Sequence, residues 1–151
     1  MTEHTGALAT LGRAALQAQP FSVMLGAHLQ RLEQGEAVLR LGLRHELLQQ
    51  NGFAHGGVLC YLADNALTLA GGSLLGEAVV TAEFKINYLR PAKGDELVAR
   101  AVTLHAGQNQ AVCRCDVFVQ DARGAARLCA TAQGTISRRA ASRTNPTATH
   151  A

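Results

Sequence analysis

The sequence predicts an α+β domain in which an antiparallel sheet of about six strands wraps one long apolar helix. Three observations carry this. Residues 58–70 (VLCYLADNALTLA) are apolar on nearly every side of a 3.6-residue helix, the pattern of a helix buried inside a domain. On either side of that run, apolar and polar residues alternate with a period of two, as half-buried strands do. Within 151 residues there is no internal repeat and no shift of composition, so one core suffices.

Taken in order, residues 7–18 (ALATLGRAALQA) space their apolar side chains as a short amphipathic helix that stops before Pro20. Residues 22–32 and 36–44 read as a hairpin about Gln34-Gly35; in its second strand Ala37, Leu39, Leu41 and Leu43 alternate with Val38, Arg40, Gly42 and Arg44. The central run is expected to be too short and interrupted for a bilayer, which takes about 20 apolar residues. The Gly-rich break GGSLLGE follows, then a strand at 79–89. There Val80, Ala82, Phe84, Ile86 and Tyr88 form one apolar face, with Thr81 on the opposite one. Residues 90–94 make a turn, 96–105 a strand, and 106–109 a tight connection. Strands at 110–120 and 125–137 follow, joined by 121–124. The expected organisation is an N-terminal helix and lead-in over 1–21, a folded domain over 22–138 and a disordered tail over 139–151.

Composition narrows the function. Hydrophobic residues make up 48% and charged ones 17%, the balance of a packed domain whose surface is partly covered by association. The net charge is only +3, the 14 basic residues (12 of them Arg) are scattered, and Trp is absent, which argues against a nucleic-acid surface. The N-terminus lacks a sustained apolar stretch, so no signal peptide is expected and the cytosol is the default location. Cys60, Cys113, Cys115 and Cys129 have neither zinc-site nor CxxC spacing and read as buried free thiols.

Asp64 stands out because a carboxylate inside an apolar run must be paired, hydrogen-bonded or protonated to offset desolvation of several kcal/mol. Upstream, His55-Gly56-Gly57 stands at the helix start. There glycines either make a sharp loop entry or leave first-turn N–H donors open to a developing oxyanion. Asp64 lies eight residues past Gly56, roughly 12 Å along the same helix, so one chain cannot bring both groups to one carbonyl carbon. Two such helices antiparallel across a two-fold axis could, which predicts a homodimer with two composite sites.

HGG, then LAD with His55 nine residues before Asp64, then the strand and turn TAEFKINYLRPAK together resemble the hotdog-fold acyl-CoA thioesterases. The nearest branch is the phenylacetic acid degradation type, related to the 4-hydroxybenzoyl-CoA thioesterases, and the resemblance covers about 22–138. It implies a hotdog fold, a homodimer as minimal active unit commonly paired into a homotetramer, and hydrolysis of an acyl-CoA substrate. By resemblance, Asp64 is the catalytic nucleophile or general base, the Gly56 N–H polarises the thioester oxygen with His55 shaping the turn, and Thr81 positions water. Gln49 or Asn51 would meet the thioester, with Gly57 beside it. Arg90 and Lys93 of the RPAK turn would meet the coenzyme A phosphates, with His105 and the 107–110 connection as further candidates for the nucleotide groove. No metal or redox cofactor is implied, coenzyme A being part of the substrate, and neither nucleic acid nor membrane is an expected partner. Two other readings stay open: an acyl-CoA-binding module without turnover, and a hotdog dehydratase or hydratase using His55 and Asp64 across a dimer.

Overall fold

The structure, a computed structural model, describes residues 2–140, with side chains from Gly6. In chain order the elements are α1 (Thr2–Gln17), α2 (Pro20–Leu25), β1 (His28–Glu33), β2 (Glu36–Gly42), a 3-10 turn (His45–Leu47), α3 (Gly56–Leu75), β3 (Val79–Tyr88), β4 (Glu96–Ala106), β5 (Gln110–Gln120) and β6 (Ala126–Arg138). The six strands form one antiparallel sheet in the order β1-β2-β4-β5-β6-β3. The tail expected beyond 139 falls, from 141 on, outside the described residues.

The sheet curls around α3. Leu59, Leu62, Ala63, Ala66, Leu67 and Ala70, spaced three and four apart, make the fully buried face of α3. They meet the inward residues of four strands, among them Leu39, Leu41, Leu97, Ala99, Cys115, Val117 and Ile136. Small residues on α3 bring the sheet close: a Cβ on Gly71 would sit 2.9 Å from the Cβ of Ile136. At the other end, the Arg138 guanidinium donates to the Leu75 carbonyl and closes the C-terminus of α3.

Four expectations change. First, α3 is not buried all round. Cys60, Tyr61, Asp64, Asn65 and Thr68 lie half-buried along the flank turned away from the central strands, where Thr81 of the edge strand β3 reaches Asp64 and Thr68. Second, α3 runs 20 residues and is long and apolar enough to cross a bilayer by length and composition. What fixes it here is the sheet, which buries half of its most apolar window. Third, the first half of the 22–32 strand is helix. Pro20 starts α2 at the position where its missing N–H costs nothing, and Gly26, at φ +80°, ends it with its N–H on the Ser22 and Val23 carbonyls; β1 begins only at His28.

Fourth, strict alternation fails in β3. Thr81 pairs with Ile136 and Glu83 with Thr135, so Ala82 is an extra residue, a β-bulge. Val79 and Thr81 before it, and Phe84 and Ile86 after it, therefore all face α3, while Val80 and Ala82 are exposed. Thr81 lies on the core side of its strand, not on the opposite one.

Candidate active site

The loop before α3 is tied down residue by residue. Gly52 takes φ +79°, its N–H donates to the Gln49 carbonyl, and Gln49 N–H donates to the Phe53 carbonyl. Ala54 N–H then donates to the Ala92 carbonyl and His55 N–H to the Leu47 carbonyl, which pins the helix entry against the turn after β3. His55 is the N-cap of α3: its Nδ1 accepts the Gly57 N–H at 2.9 Å. A Cβ on residue 57 would lie 3.1 Å from that nitrogen, so glycine is what lets the imidazole fold back.

With Gly57 engaged by His55 and Val58 N–H engaged by the His55 carbonyl, the Gly56 N–H is the first-turn donor without an acceptor among the described residues. It stands at a cavity of about 520 Å³ walled by Gln49, Asn51, Phe53, His55, Tyr88 and Arg90. The amide oxygen of Gln49 accepts the Asn51 N–H at 2.8 Å, so its NH₂ is the end left to offer a ligand. Arg90 spends one guanidinium N–H on the Leu128 carbonyl at 3.0 Å, which holds it at the rim.

Asp64 lies two turns further along α3, half-buried. Its Oδ1 accepts the Thr81 hydroxyl at 2.6 Å; Thr81 Oγ1 is 2.9 Å from Thr68 Oγ1, and Thr68 also bonds back to the Asp64 carbonyl. Among the described residues no cation pairs with Asp64. The carboxylate is thus oriented by a neutral hydroxyl through one oxygen. One turn before it, burial and then the Asp64 charge push the Cys60 thiol up, so this neighbour stays protonated near neutrality.

The sequence-predicted residues therefore fall into groups. Gln49, Asn51, His55, Gly56 and Arg90 share one cavity. Asp64 and Thr81 form a second cluster that does not line that cavity. Lys93 lines a separate cleft of about 410 Å³ with Arg44 and His45, and His105 with residues 107–110 lines another of about 620 Å³. Gly57 has its N–H taken by His55. No group of three or more His, Cys, Asp or Glu among the described residues could hold a metal ion. A carboxylate oriented by a hydroxyl can act on water or a carbonyl, and an open first-turn N–H can hold an oxyanion, but within one chain the two stand about 12 Å apart along α3.

Comparison with known proteins identifies the family. Residues 51–126, from the loop before α3 to the start of β6, match the thioesterase superfamily. The chain belongs to the thioesterase superfamily. Its sheet and central helix are the hotdog thioesterase fold, and its class of activity is thioester hydrolysis. The chain is similar to the acyl-coenzyme A thioesterase PaaI of Escherichia coli, 33% identical over 97 residues that cover 64% of this chain and 69% of that one. It is also similar to the medium/long-chain acyl-CoA thioesterase YigI of Salmonella typhimurium, 27% identical with 76% and 85% covered. A solved thioesterase family protein from Silicibacter pomeroyi superposes with a TM-score of 0.81 at 32% identity, covering 86% of this chain and 96% of that one.

Two residues of this thioesterase escaped the sequence reading. Tyr88, counted there as part of an apolar face, is 54% exposed and donates its hydroxyl to the Gly56 carbonyl at 3.0 Å, with its ring against the Gly56 Cα. Thr68 is the other; its i, i+4 spacing from Asp64 is the signal in the sequence that points to it. Nothing local in the sequence pairs Tyr88 with Gly56, because 32 residues separate them and the strand's placement decides the contact.

Proposed function

We propose that this chain is an acyl-CoA thioesterase that hydrolyses an acyl- or aryl-acyl-CoA thioester at two sites shared between two copies. Asp64 of one copy and the Gly56 N–H of the other act on one carbonyl. The observation that carries this is Asp64 itself: half-buried on α3 beside the edge strand β3, it is aimed by the Thr81 hydroxyl at 2.6 Å. Along one helix the carboxylate and the Gly56 donor are about 12 Å apart, so a second, antiparallel copy is the economical way to join them.

In the general-base form, Asp64 takes a proton from water, the water oxygen adds to the thioester carbon, and the Gly56 N–H holds the charge on the carbonyl oxygen. The C–S bond then breaks, and the coenzyme A sulfur leaves with the proton returned from Asp64. In the nucleophilic form a carboxylate oxygen of Asp64 adds instead, the thiolate leaves, and water hydrolyses the resulting anhydride. Gln49 and Asn51 would orient the thioester, while Arg90 and Lys93 would meet coenzyme A phosphates.

Subunit mixing tests the shared site. Asp64→Asn should cut kcat by about 10²–10⁴. Gly56→Pro removes the N–H at the first helical position, where proline fits, and should cut it by about 10²–10³ while the helix persists. Exchanging subunits between the two variants should restore about a quarter of wild-type thiol release, because half of the dimers are mixed and each carries one intact site. Unchanged turnover by Asp64→Asn sinks the mechanism, and no recovery from two folded variants after exchange sinks the shared site.

A further inference from the structure

Asn65, polar in the apolar run of α3, belongs neither to the hydrogen-bonded Asp64 cluster nor to the cavity at Gly56. It is half-buried, directly after Asp64 and on the same flank as Cys60, Tyr61 and Thr68. Its amide NH₂ donates back to the Tyr61 carbonyl at 3.3 Å, one turn earlier. The amide oxygen has no partner among the described residues. Asparagine is a poor helix former because such local bonds compete with the helix, so nothing in α3 itself favours it there.

A donor without an acceptor stands at the start of the same helix. His55 spends Nδ1 on accepting the Gly57 N–H, so in the neutral ring the proton sits on Nε2, and the ring is exposed. That Nε2–H has no acceptor among the described residues. Within one chain, residues 55 and 65 are about 15 Å apart along α3, too far for contact.

Two copies remove that distance. In the antiparallel pairing that brings Asp64 of one copy to Gly56 of the other, each step forward on one helix is a step back on the other. The level next to Asp64 and Gly56 is therefore Asn65 and His55, and the midpoint is Cys60. There Cys60, which burial and then the Asp64 charge keep protonated near neutrality, meets its own copy, so the axis carries no like charges.

We propose that Asn65 is a positioning residue whose amide oxygen accepts the Nε2–H of His55 in the second copy, fixing the separation between Asp64 and the Gly56 N–H that acts with it. The inference rests on the shared site above and adds a residue to it. Asp64 and Asn65 are consecutive, so a bond from Asn65 to the other copy's helix entry sets where the carboxylate stands. The same bond keeps the proton on Nε2. Nδ1 then stays an acceptor, the Gly57 N–H stays occupied, and Gly56 remains the open donor.

Nitrogen NMR of protein labelled at histidine reads the contact directly, with the His55 ring assigned by its loss in His55→Gln. Wild type should show the Nε2–H tautomer with a proton protected from water, and Asn65→Leu, which lacks the acceptor, should lose that signal to exchange. The same variant should cut kcat about fivefold with KM nearly unchanged. Asn65→Ala is the second variant should leucine not fold. Subunit exchange then shows in which half of the site Asn65 works. With Gly56→Pro, Asn65→Leu forms dimers that carry one wholly wild-type site, and thiol release should rise about threefold over the unmixed proteins. With Asp64→Asn, the one live site of each mixed dimer carries the substitution, and release should not rise. An unaltered His55 signal overturns the contact, and so does a rise with Asp64→Asn but not with Gly56→Pro, which would tie Asn65 to its own chain's Gly56. If Asp64→Asn and Gly56→Pro fail to complement each other, the shared site falls and the contact with it; if they complement while Asn65→Leu changes nothing, the contact alone falls.

Discussion

At the scale of single residues, the peptide between Gly56 and Gly57 is held at both ends: Tyr88 binds its carbonyl and His55 its N–H. Two glycines in sequence are the most permissive link a chain can have, so these clamps convert a loose entry into a fixed donor at Gly56. Tyr88→Phe keeps the ring against Gly56 and loses one neutral hydrogen bond of about 1 kcal/mol, so kcat should fall about fivefold with KM nearly unchanged. Steady-state kinetics decides this; a change confined to KM would make Tyr88 a substrate contact instead. His55 and Gly56 were legible as a helix entry because HGG has a local meaning. Tyr88 was not, because its role depends on where a strand 32 residues away is laid.

Among elements, the contact of α3 with the sheet depends on small residues. Gly71 has its open side against Ile136 and Cys113, both fully buried. In an isolated helix Gly71→Ala would gain about 1 kcal/mol. Here the new methyl group meets a β-branched residue fixed on β6 at 2.9 Å, and overpacking of about 1–3 kcal/mol outweighs that gain. Urea unfolding should show a lower midpoint at unchanged slope; a higher midpoint would mean the sheet yields easily. The strands themselves were readable from their alternation, and β5 matches its expected range, 110–120. The bulge at Ala82 was not readable, since an extra residue in β3 is defined only against its partner β6. That bulge turns Thr81 toward Asp64.

For the whole molecule, three buried thiols and the half-buried Cys60 contribute to the alkaline loss of stability. Burial raises Cys113, Cys115 and Cys129, and burial followed by the Asp64 charge raises Cys60, all above the ordinary thiol value of 9.0. Below that value both folded and unfolded chains keep these protons, and stability from this source is fully present. Above it the unfolded chain ionises first and binds fewer protons than the folded one, so stability falls as pH rises toward the folded values. Unfolding midpoints should therefore be steady from these groups up to about pH 9 and decline beyond it, with Cys115→Ala shallowing the decline. A flat profile to pH 10.5 would mean the thiols are reached by water in the folded state.

The architecture was written in periodicity: an apolar run near 3.6 residues flanked by runs near two can hardly pack except as a helix against a sheet, and no distant contact is needed to see it. Asp64 was conspicuous for the same local reason, a charge where its neighbours are apolar. What the local pattern could not contain was the company each group keeps. Lys93 and Arg90 sit three residues apart yet face different clefts, and Thr81 reaches Asp64 through a bulge measured against β6. The groove lined by Leu8, Leu11 and Leu69 arises only because α1 is laid across from α3. Periodicity is a property of neighbours along the chain; a site is made of neighbours in space, and those follow from register, bulges and helix placement.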